Sequence, residues 1–267
     1  MNTTRINGMP WAEYISGGYM GSSALADWGH MSLEAWSAKH LEQAYQGGGS
    51  AAAAAGSALD CLLTGIEGEY QRKYVVKPEG MSFATKEGKL WKESFALPGV
   101  TILDSETAQE IAAAAVIARK AVSILSRLYG EHDCQVTLRG EDGEMRLQTR
   151  PDFAFAGHCV DLKYINSLNF EAFDRHFISG RYFLQAGLFY GLSQERPVRV
   201  SFLLVESGTL HPRCRVWEVP EHILVAGWAK CLEIAEAVEA QKSEGFFDVP
   251  SFGVLELPSW AEAKVAA

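Results

Sequence analysis

The sequence predicts one mixed α/β domain with a helical N-terminal region. Hydrophobic residues make up 48% and charged residues 21% of the 267 residues, which is typical of a globular protein with a full-sized core. Segments with apolar residues at helical spacing alternate with shorter segments of period two, which indicates helices combined with a sheet. No internal repeat or long linker divides the chain. We therefore expect residues 1–100 to be mostly helical, residues 101–245 to form the core, and residues 246–267 to form a C-terminal tail.

The N-terminal region contains two helical patterns separated by glycines. Residues 20–46 predict one or two helices with one buried face, and Ser22 and Ser23 are candidate N-terminal caps. The glycines at 47–49 interrupt this pattern. An Ala-rich helix is then expected over residues 50–63, where small side chains suit close packing against another element.

A region of turns is followed by one long helix. Residues 70–91 predict short strand-like pieces with turns near Pro78 and Gly88. Residues 105–129 then predict a helix, and Gly130 stands where a left-handed C-terminal residue belongs.

The next segment has the period of a sheet. Residues 135–138 and 145–149 alternate apolar and polar side chains around a turn at 141–143, which indicates a hairpin. Another strand is expected over residues 158–165. The remaining predicted elements are helices over 170–178 and 182–192, strands over 198–205 and 214–219, and a long helix over 221–242.

Composition and local patterns disfavour several classes of protein. The first eleven residues lack the features of a secretion signal, and the longest apolar stretch, at residues 51–59, is too short to span a bilayer. The five cysteines contain no CxxC pair and the seven histidines no HExxH motif, so neither a disulfide framework nor a zinc or iron–sulfur site is indicated. We expect a cytoplasmic protein that does not associate with membranes.

The distribution of charge permits a nucleic-acid partner without indicating one. A net charge of −9 argues against such a partner unless the carboxylates collect in a metal site and the cations cluster. The cations concentrated in the middle third of the chain are Arg139, Arg146, Arg150, Lys163, Arg175 and Arg181.

One group of charged residues has the composition of a catalytic site, and it lies on two consecutive predicted strands. Asp152 follows Pro151, and after eight intervening residues come Asp161 and Lys163. Because alternate side chains of a strand share a face, Asp161 and Lys163 lie on one face while the apolar residues 160 and 162 anchor the other. The connection between the two strands is as short as in a hairpin, so the chain turns back and brings Asp152 beside Asp161.

Two neighbouring carboxylates favour a bound divalent cation, because without one their repulsion forces a proton onto one of them. Oxygen ligands at this density favour Mg²⁺, which Mn²⁺ can replace, over zinc. Magnesium retains water ligands that can attack phosphorus, and Lys163 would orient that water and offset the developing charge. Taken singly, an Asp-x-Lys pair more often marks an exposed strand face, and Arg-Pro-Asp a turn. Their combination at this spacing favours a metal site for phosphodiester hydrolysis.

This pattern resembles the signature of the PD-(D/E)XK nucleases, and more specifically that of the RecE-type, exonuclease VIII-like enzymes of phages and prophages. The flanking segments resemble that family in the same order along the chain. They are residues 56–63, similar to its Gly-x-Ala-x-His helix, residues 86–91, residues 182–186, which contain Gln185, and residues 257–260. The resemblance implies a restriction-endonuclease-like core, in which a mixed central sheet is flanked by helices.

The resemblance also implies residue roles and partners. Asp152, Asp161, Asp60 and the backbone carbonyl of Leu162 would bind Mg²⁺, while Lys163 and Gln185 would position the attacking water. We expect contacts with DNA from Arg150, Arg181 and Tyr190. The implied activity is 5′ to 3′ exonucleolytic digestion of linear double-stranded DNA, which leaves 3′ single-stranded tails for homologous recombination. A ring-shaped homo-oligomer and a single-strand annealing protein are the implied partners.

Three positions depart from the family pattern. Asp60 stands where the family usually has histidine, and Gln135 where it commonly has glutamate. Phe189 occupies the place of a frequent tyrosine, with Tyr190 next to it. A carboxylate at position 60 is able to bind magnesium, whereas the neutral Gln135 weakens any metal role at that position.

Two other functions fit the same residues. One is a different nuclease on the same core, either an endonuclease or a relative of the RecB-like enzymes. The other is a non-catalytic DNA-binding or assembly protein that retains the fold, which the joint presence of Asp152, Asp161 and Lys163 disfavours.

Overall fold

A five-stranded mixed sheet forms the centre of the protein in a computed structural model that describes residues 1–42 and 50–245. The strands are β1 (Asn2–Ile6), β2 (Tyr74–Val76), β3 (Thr101–Leu103), β4 (Asp133–Cys134), β5 (Thr137–Asp142), β6 (Met145–Thr149), β7 (Phe153–Phe155), β8 (His158–Ile165), β9 (Arg199–Glu206) and β10 (Cys214–Glu218). The central sheet has the order β10-β9-β8-β7-β4, in which β8 and β9 are parallel and the other neighbours antiparallel. The prediction of a mixed α/β fold is confirmed.

Ten helices of the described residues surround the sheets. They are α1 (Trp11–Ser16), α2 (Ser22–Asp27), α3 (Leu33–His40), α4 (Ala51–Thr64), α5 (Glu69–Lys73), α6 (Lys86–Ser94), α7 (Ser105–Tyr129), α8 (Phe170–Ser179), α9 (Tyr182–Leu192) and α10 (Glu221–Glu244). Among the described residues, none of these helices combines the length and apolar character needed to cross a bilayer.

A different set of helices packs against each face of the central sheet. On one face, Val160 and Leu162 pack with α4 and α7, where the small residues Ala58 and Ala118 are fully buried and allow the two helices to approach closely. On the opposite face, residues such as Phe202 pack with α8, α9 and α10. Alternation along β8 therefore turns Asp161 and Lys163 to one face, as the sequence predicts, and this face is the one toward α9.

A second sheet carries the predicted hairpin. It has the order β1-β5-β6, so the hairpin strands do not join the central sheet. The chain leaves the central sheet after β4 at Gln135, whose φ of 53° is rare for a residue with a side chain. The first hairpin strand consequently begins at Thr137 rather than at Gln135. The third sheet pairs β2 with β3 in parallel.

Some local predictions are wrong. Ser22 and Ser23 do not cap α2, because its N-cap is Gly21 and both serines lie in the first turn; Ser32 instead caps α3. Gly130 ends α7 with φ 88° and ψ −163°, so its φ is positive but its conformation is not left-handed helical.

The segment 70–91 is more helical than predicted. It contains most of α5 and part of α6 in addition to β2. Gly88 lies inside α6, where an added Cβ would collide with the carbonyl oxygen of Ser82. The glycine is therefore explained by close backbone packing rather than by a turn.

Candidate active site

A cavity of about 520 Å³ opens between the N-terminal helices and the central sheet. Elements that are far apart in sequence contribute its walls, including α1, α3, α4, β8 and α9. The charged and amide side chains that line it are those of Lys39, Asp60, Gln135, Gln148, Arg150, Asp152, Asp161, Lys163 and Gln185. The cavity thus collects most of the residues that the sequence singled out.

Asp152 lies directly before β7 and faces the middle of β8. The antiparallel register pairs Phe153 with Val160, so its continuation by one residue sets Asp152 opposite Asp161. The Asp152 carboxylate accepts hydrogen bonds from the backbone N–H of Leu162 at 2.6 Å and from Gln135 Nε2 at 3.0 Å. These donors hold the carboxylate beside β8, as the predicted hairpin return requires.

Asp161, Lys163 and Gln185 form a closed polar triangle. Lys163 Nζ lies 2.5 Å from Asp161 Oδ2 and donates a hydrogen bond to Gln185 Oε1 at 3.0 Å. Gln185 Nε2 in turn donates to Asp161 Oδ1 at 2.8 Å. One amide on α9 therefore orients both charged side chains of β8, while the role predicted for Gln185 in positioning the attacking water stays a prediction.

Asp60 and Gln135 form the second polar cluster of the cavity. Gln135 Nε2 lies 3.0 and 3.2 Å from the two carboxylate oxygens of Asp60, 3.1 Å from Thr64 Oγ1 and 3.0 Å from Asp152 Oδ1. An amide has only two N–H donors, so it cannot fully satisfy four acceptor atoms at once. The left-handed backbone of Gln135 aims this amide between the carboxylates of Asp60 and Asp152.

The ionisation of these groups follows from their removal from water. Burial raises the pKa of Asp152 well above its usual range, and the negative charges of Asp161 and Asp60 raise it further. Burial also raises the pKa values of Asp161 and Asp60. Burial acts to lower the pKa of Lys163, but the adjacent Asp161 carboxylate reverses this effect and the pKa is raised overall. Burial thus disfavours the charged form of all three carboxyl groups, whereas Lys163 keeps its charge beside Asp161.

The donor set fits a hard divalent cation. Asp161 Oδ2 is buried and, apart from its ion pair with Lys163, has no hydrogen-bond donor in residues 1–42 and 50–245. Within those ranges, no three His, Cys, Asp or Glu side chains are grouped so as to hold one ion. Magnesium commonly uses only one or two carboxylates and completes its shell with water, so a site for it does not require a group of three such side chains. Ligation of Mg²⁺ by Asp152, Asp161, Asp60 and the Leu162 carbonyl stays a prediction.

Of the three residues expected to contact DNA, only Arg150 lines the cavity. Its guanidinium donates to Thr137 Oγ1 at 2.8 Å and to the Met9 carbonyl at 3.0 Å. Arg181 instead contacts Trp28 and His30 near the start of α9. Tyr190 lies five residues beyond Gln185, on another side of α9, and packs against Arg196. The structure therefore does not bring Arg181 and Tyr190 to the site, and any contact they make with DNA would lie outside the cavity.

Sequence reasoning missed the N-terminal wall of the cavity. Trp11 and Tyr14 on α1, and Lys39 and His40 at the end of α3, all line it. The spacing of Trp11 and Tyr14 matches one helical face, but nothing local indicates that this face lines the same cavity as Asp161 and Lys163. Their contribution depends on tertiary contacts such as the hydrogen bond from Gln148 Nε2 to the Tyr14 carbonyl at 2.8 Å.

Comparison with known proteins supports the fold and goes no further. The sequence matches no protein-family model and no curated protein sequence. The structure is similar to that of a protein from Eubacterium rectale named "Putative exonuclease", with a TM-score of 0.61 and 16% sequence identity over 97% of this chain and 100% of that one. A protein from Vibrio cholerae is aligned with 91% of this chain and 58% of its own, at 11% identity and a TM-score of 0.30. Only the first likeness is close enough to show a shared fold.

The segment at residues 257–260, which resembles the family's usual ending, lies outside the described residues.

Proposed function

We propose that this protein is a Mg²⁺-dependent deoxyribonuclease that hydrolyses phosphodiester bonds in the cavity. The observation that carries the proposal is the convergence of Asp152, Asp161 and Lys163 in one cavity, with Gln185 fixing two of the three. Clusters of strongly perturbed ionisable groups in a cavity are typical of active sites. The likeness in fold to the Eubacterium rectale protein, whose name refers to an exonuclease, also supports the proposal.

The carboxylates and the lysine have separate roles in this reaction. A divalent cation bound by Asp152 and Asp161 would neutralise their charge and activate water for attack on phosphorus. Lys163 carries its positive charge on the same strand face as Asp161, where its ammonium group stabilises negative charge developing on the phosphate oxygens. Gln185 holds that ammonium group by its carbonyl oxygen, which limits its movement during the reaction.

Arg150 supplies a second cation at the cavity wall. Its guanidinium is anchored by Thr137 and Met9, so it offers a fixed positive charge to a phosphate next to the scissile one. A fixed guanidinium positions the DNA backbone but carries no information about base sequence. We therefore propose cleavage without strong sequence preference.

The finer features of the proposed activity rest on the resemblance to RecE-type exonucleases. They are digestion of linear duplex DNA from 5′ to 3′, production of 3′ tails for recombination, assembly into a ring-shaped homo-oligomer, and action with a single-strand annealing protein. An endonuclease or RecB-like nuclease on the same core and a non-catalytic DNA-binding protein are the two alternatives that experiment must separate.

Incubation of linear and covalently closed circular duplex DNA with the purified protein distinguishes these functions. With Mg²⁺ we expect loss of the linear DNA and survival of the circles, and with EDTA we expect both to survive. Nicking or linearisation of the circles would instead indicate an endonuclease. If neither DNA changes while the protein still binds it, the proposal of catalysis is wrong. Asp161→Asn is the matched inactive control, because it retains the shape of the side chain and removes its charge.

A further inference from the structure

Trp11 is an exposed tryptophan at the rim of the cavity. Its side chain is 61% exposed, although tryptophan is usually largely buried. It also lines the same cavity as Asp152, Asp161 and Lys163. The nuclease chemistry proposed above does not require an aromatic ring at this position, so its exposure needs another explanation.

Trp11 belongs to a stacked and anchored group of side chains. Its ring lies 5.3 Å from that of Tyr14 with an interplanar angle of 20°. The Arg150 guanidinium lies 4.4 Å from the centre of the Tyr14 ring and 5.7 Å from that of Trp11. Because Arg150 and Gln148 also bind the backbone of this segment, at Met9 and Tyr14, the aromatic pair is tied to the sheet that carries the hairpin.

From this geometry we infer that Trp11 is a stacking platform for an unpaired nucleobase of the DNA end whose backbone enters the cavity. The inference rests on the proposed function for the identity of the ligand. Every nucleobase has a flat π face that can stack on an exposed aromatic ring, whatever the sequence. A base inside a duplex is covered on both faces by its neighbours, so an unpaired or flipped base is the form that presents a free face.

The charges around the platform favour a nucleic acid over an apolar protein segment. Arg150 is in contact with the aromatic pair, and Lys163 lies deeper in the same cavity. A nucleotide combines an aromatic base with an anionic phosphate, and this matches a ring flanked by a guanidinium group. Stacking of the base would hold one strand apart from its complement while its backbone extends toward Asp152 and Asp161.

Binding measurements without cleavage test the platform directly. The probe is a fluorescently labelled duplex with two unpaired nucleotides on both strands at each end, and the comparison DNA has abasic nucleotides at those positions. Dissociation constants are measured by fluorescence anisotropy in EDTA, at one fixed salt concentration, for the full-length wild type and for Trp11→Ala and Trp11→Phe. Phe170→Ala is the matched control, because Phe170 is 65% exposed and also begins a helix, α8.

We expect Trp11→Ala to weaken binding of the base-containing DNA by about 5- to 150-fold, the range measured for loss of one base–aromatic stack. Binding of the abasic DNA should be unchanged. Trp11→Phe should retain most of the affinity, and Phe170→Ala all of it. Equal losses on both DNAs, or no loss on either, would overturn the platform. Tight, base-dependent binding without Mg²⁺-dependent cleavage would refute the nuclease proposal and leave the platform intact, whereas Mg²⁺-dependent cleavage by a wild type that binds both DNAs equally would refute the platform alone.

Discussion

The two ends of β8 both bury ionisable side chains, but with different consequences. At the start of the strand, His158 Nε2 pairs with Ser201 Oγ at 2.9 Å, and the imidazole packs edge-on against Tyr129 with ring centres 4.5 Å apart. Burial lowers the pKa of His158 to about 4, so the ring is neutral at physiological pH. Toward the other end, Asp161 and Lys163 form an ion pair instead.

The difference lies in what surrounds the buried groups. His158 is enclosed by aromatic rings and by a neutral hydroxyl, and it does not line the described cavity. Asp161 and Lys163 face the cavity together with Asp152 and Asp60. Both ends leave buried polar atoms without a hydrogen-bond partner among the described residues: His158 Nδ1 at the start, and toward the other end Tyr164 Oη and Asp161 Oδ2, of which the latter has only its ion pair with Lys163. Burial of a polar group alone therefore does not indicate function, whereas convergence of opposite charges on a cavity does.

Replacement of Lys163 should have the largest effect on activity. We expect Lys163→Met to lower the single-turnover rate of DNA cleavage by about 100-fold or more, as for the loss of one preorganised donor to a developing charge. DNA binding should remain, because Arg150 and the rest of the cavity are unchanged. Lys120→Met, on the exposed face of α7, is the matched control and should cleave normally. Cleavage by Lys163→Met at the wild-type rate would exclude the lysine from the mechanism.

Replacement of Asp60 should change the metal requirement. Asp60 shares the Gln135 amide with Asp152, so its loss frees that amide and alters the orientation of the Asp152 carboxylate. We expect Asp60→Ala to raise the Mg²⁺ concentration for half-maximal cleavage by about 10- to 100-fold, as for other groups that orient metal ligands. Gln135→Glu, which adds a carboxylate, should shift the same titration in the opposite direction. An unchanged titration for Asp60→Ala would reduce Asp60 to a purely structural residue.

The smallest effect is expected at the start of β8, where His158 affects the stability of the fold but not cleavage. The pKa of His158 is lowered from 6.5 to about 4 on folding, so between these values the unfolded chain binds more protons than the folded one. The contribution of neutral His158 to the free energy of unfolding is therefore fully present above pH 6.5, and it is lost as the pH falls toward 4. We expect the wild type to lose about 1 to 2 kcal/mol more than His158→Gln between pH 7 and pH 5, measured by urea unfolding. Parallel pH profiles would show that His158 does not titrate in this way.

Much of the central sheet and its helices could be predicted because their patterns are strong and local. The bounds of β8 and α9 agree with the prediction, and α7 also matches. Strand alternation was enough to turn Asp161 and Lys163 to one face, and hairpin length was enough to bring Asp152 beside them.

The rest of the site depends on contacts between distant segments. β1 was missed because its polar sequence forms a strand by pairing with β5, more than a hundred residues away. The same holds for Trp11, which no local pattern connects with the cavity. The sequence showed only that Gln135 is neutral. The position of its amide between Asp60 and Asp152 follows from a left-handed backbone, which the sequence does not reveal.

The most direct test of the account is the position of a bound divalent ion. Crystals grown with Mn²⁺ should show one anomalous-scattering peak in contact with the carboxylates of Asp152 and Asp161, next to Lys163, in the wild-type protein. The peak should be absent from Asp161→Asn under the same conditions. A manganese ion bound elsewhere, or an Asp152 and Asp161 pair with no ion between them at saturating Mn²⁺, would contradict the proposal that these carboxylates form a metal-dependent nuclease site.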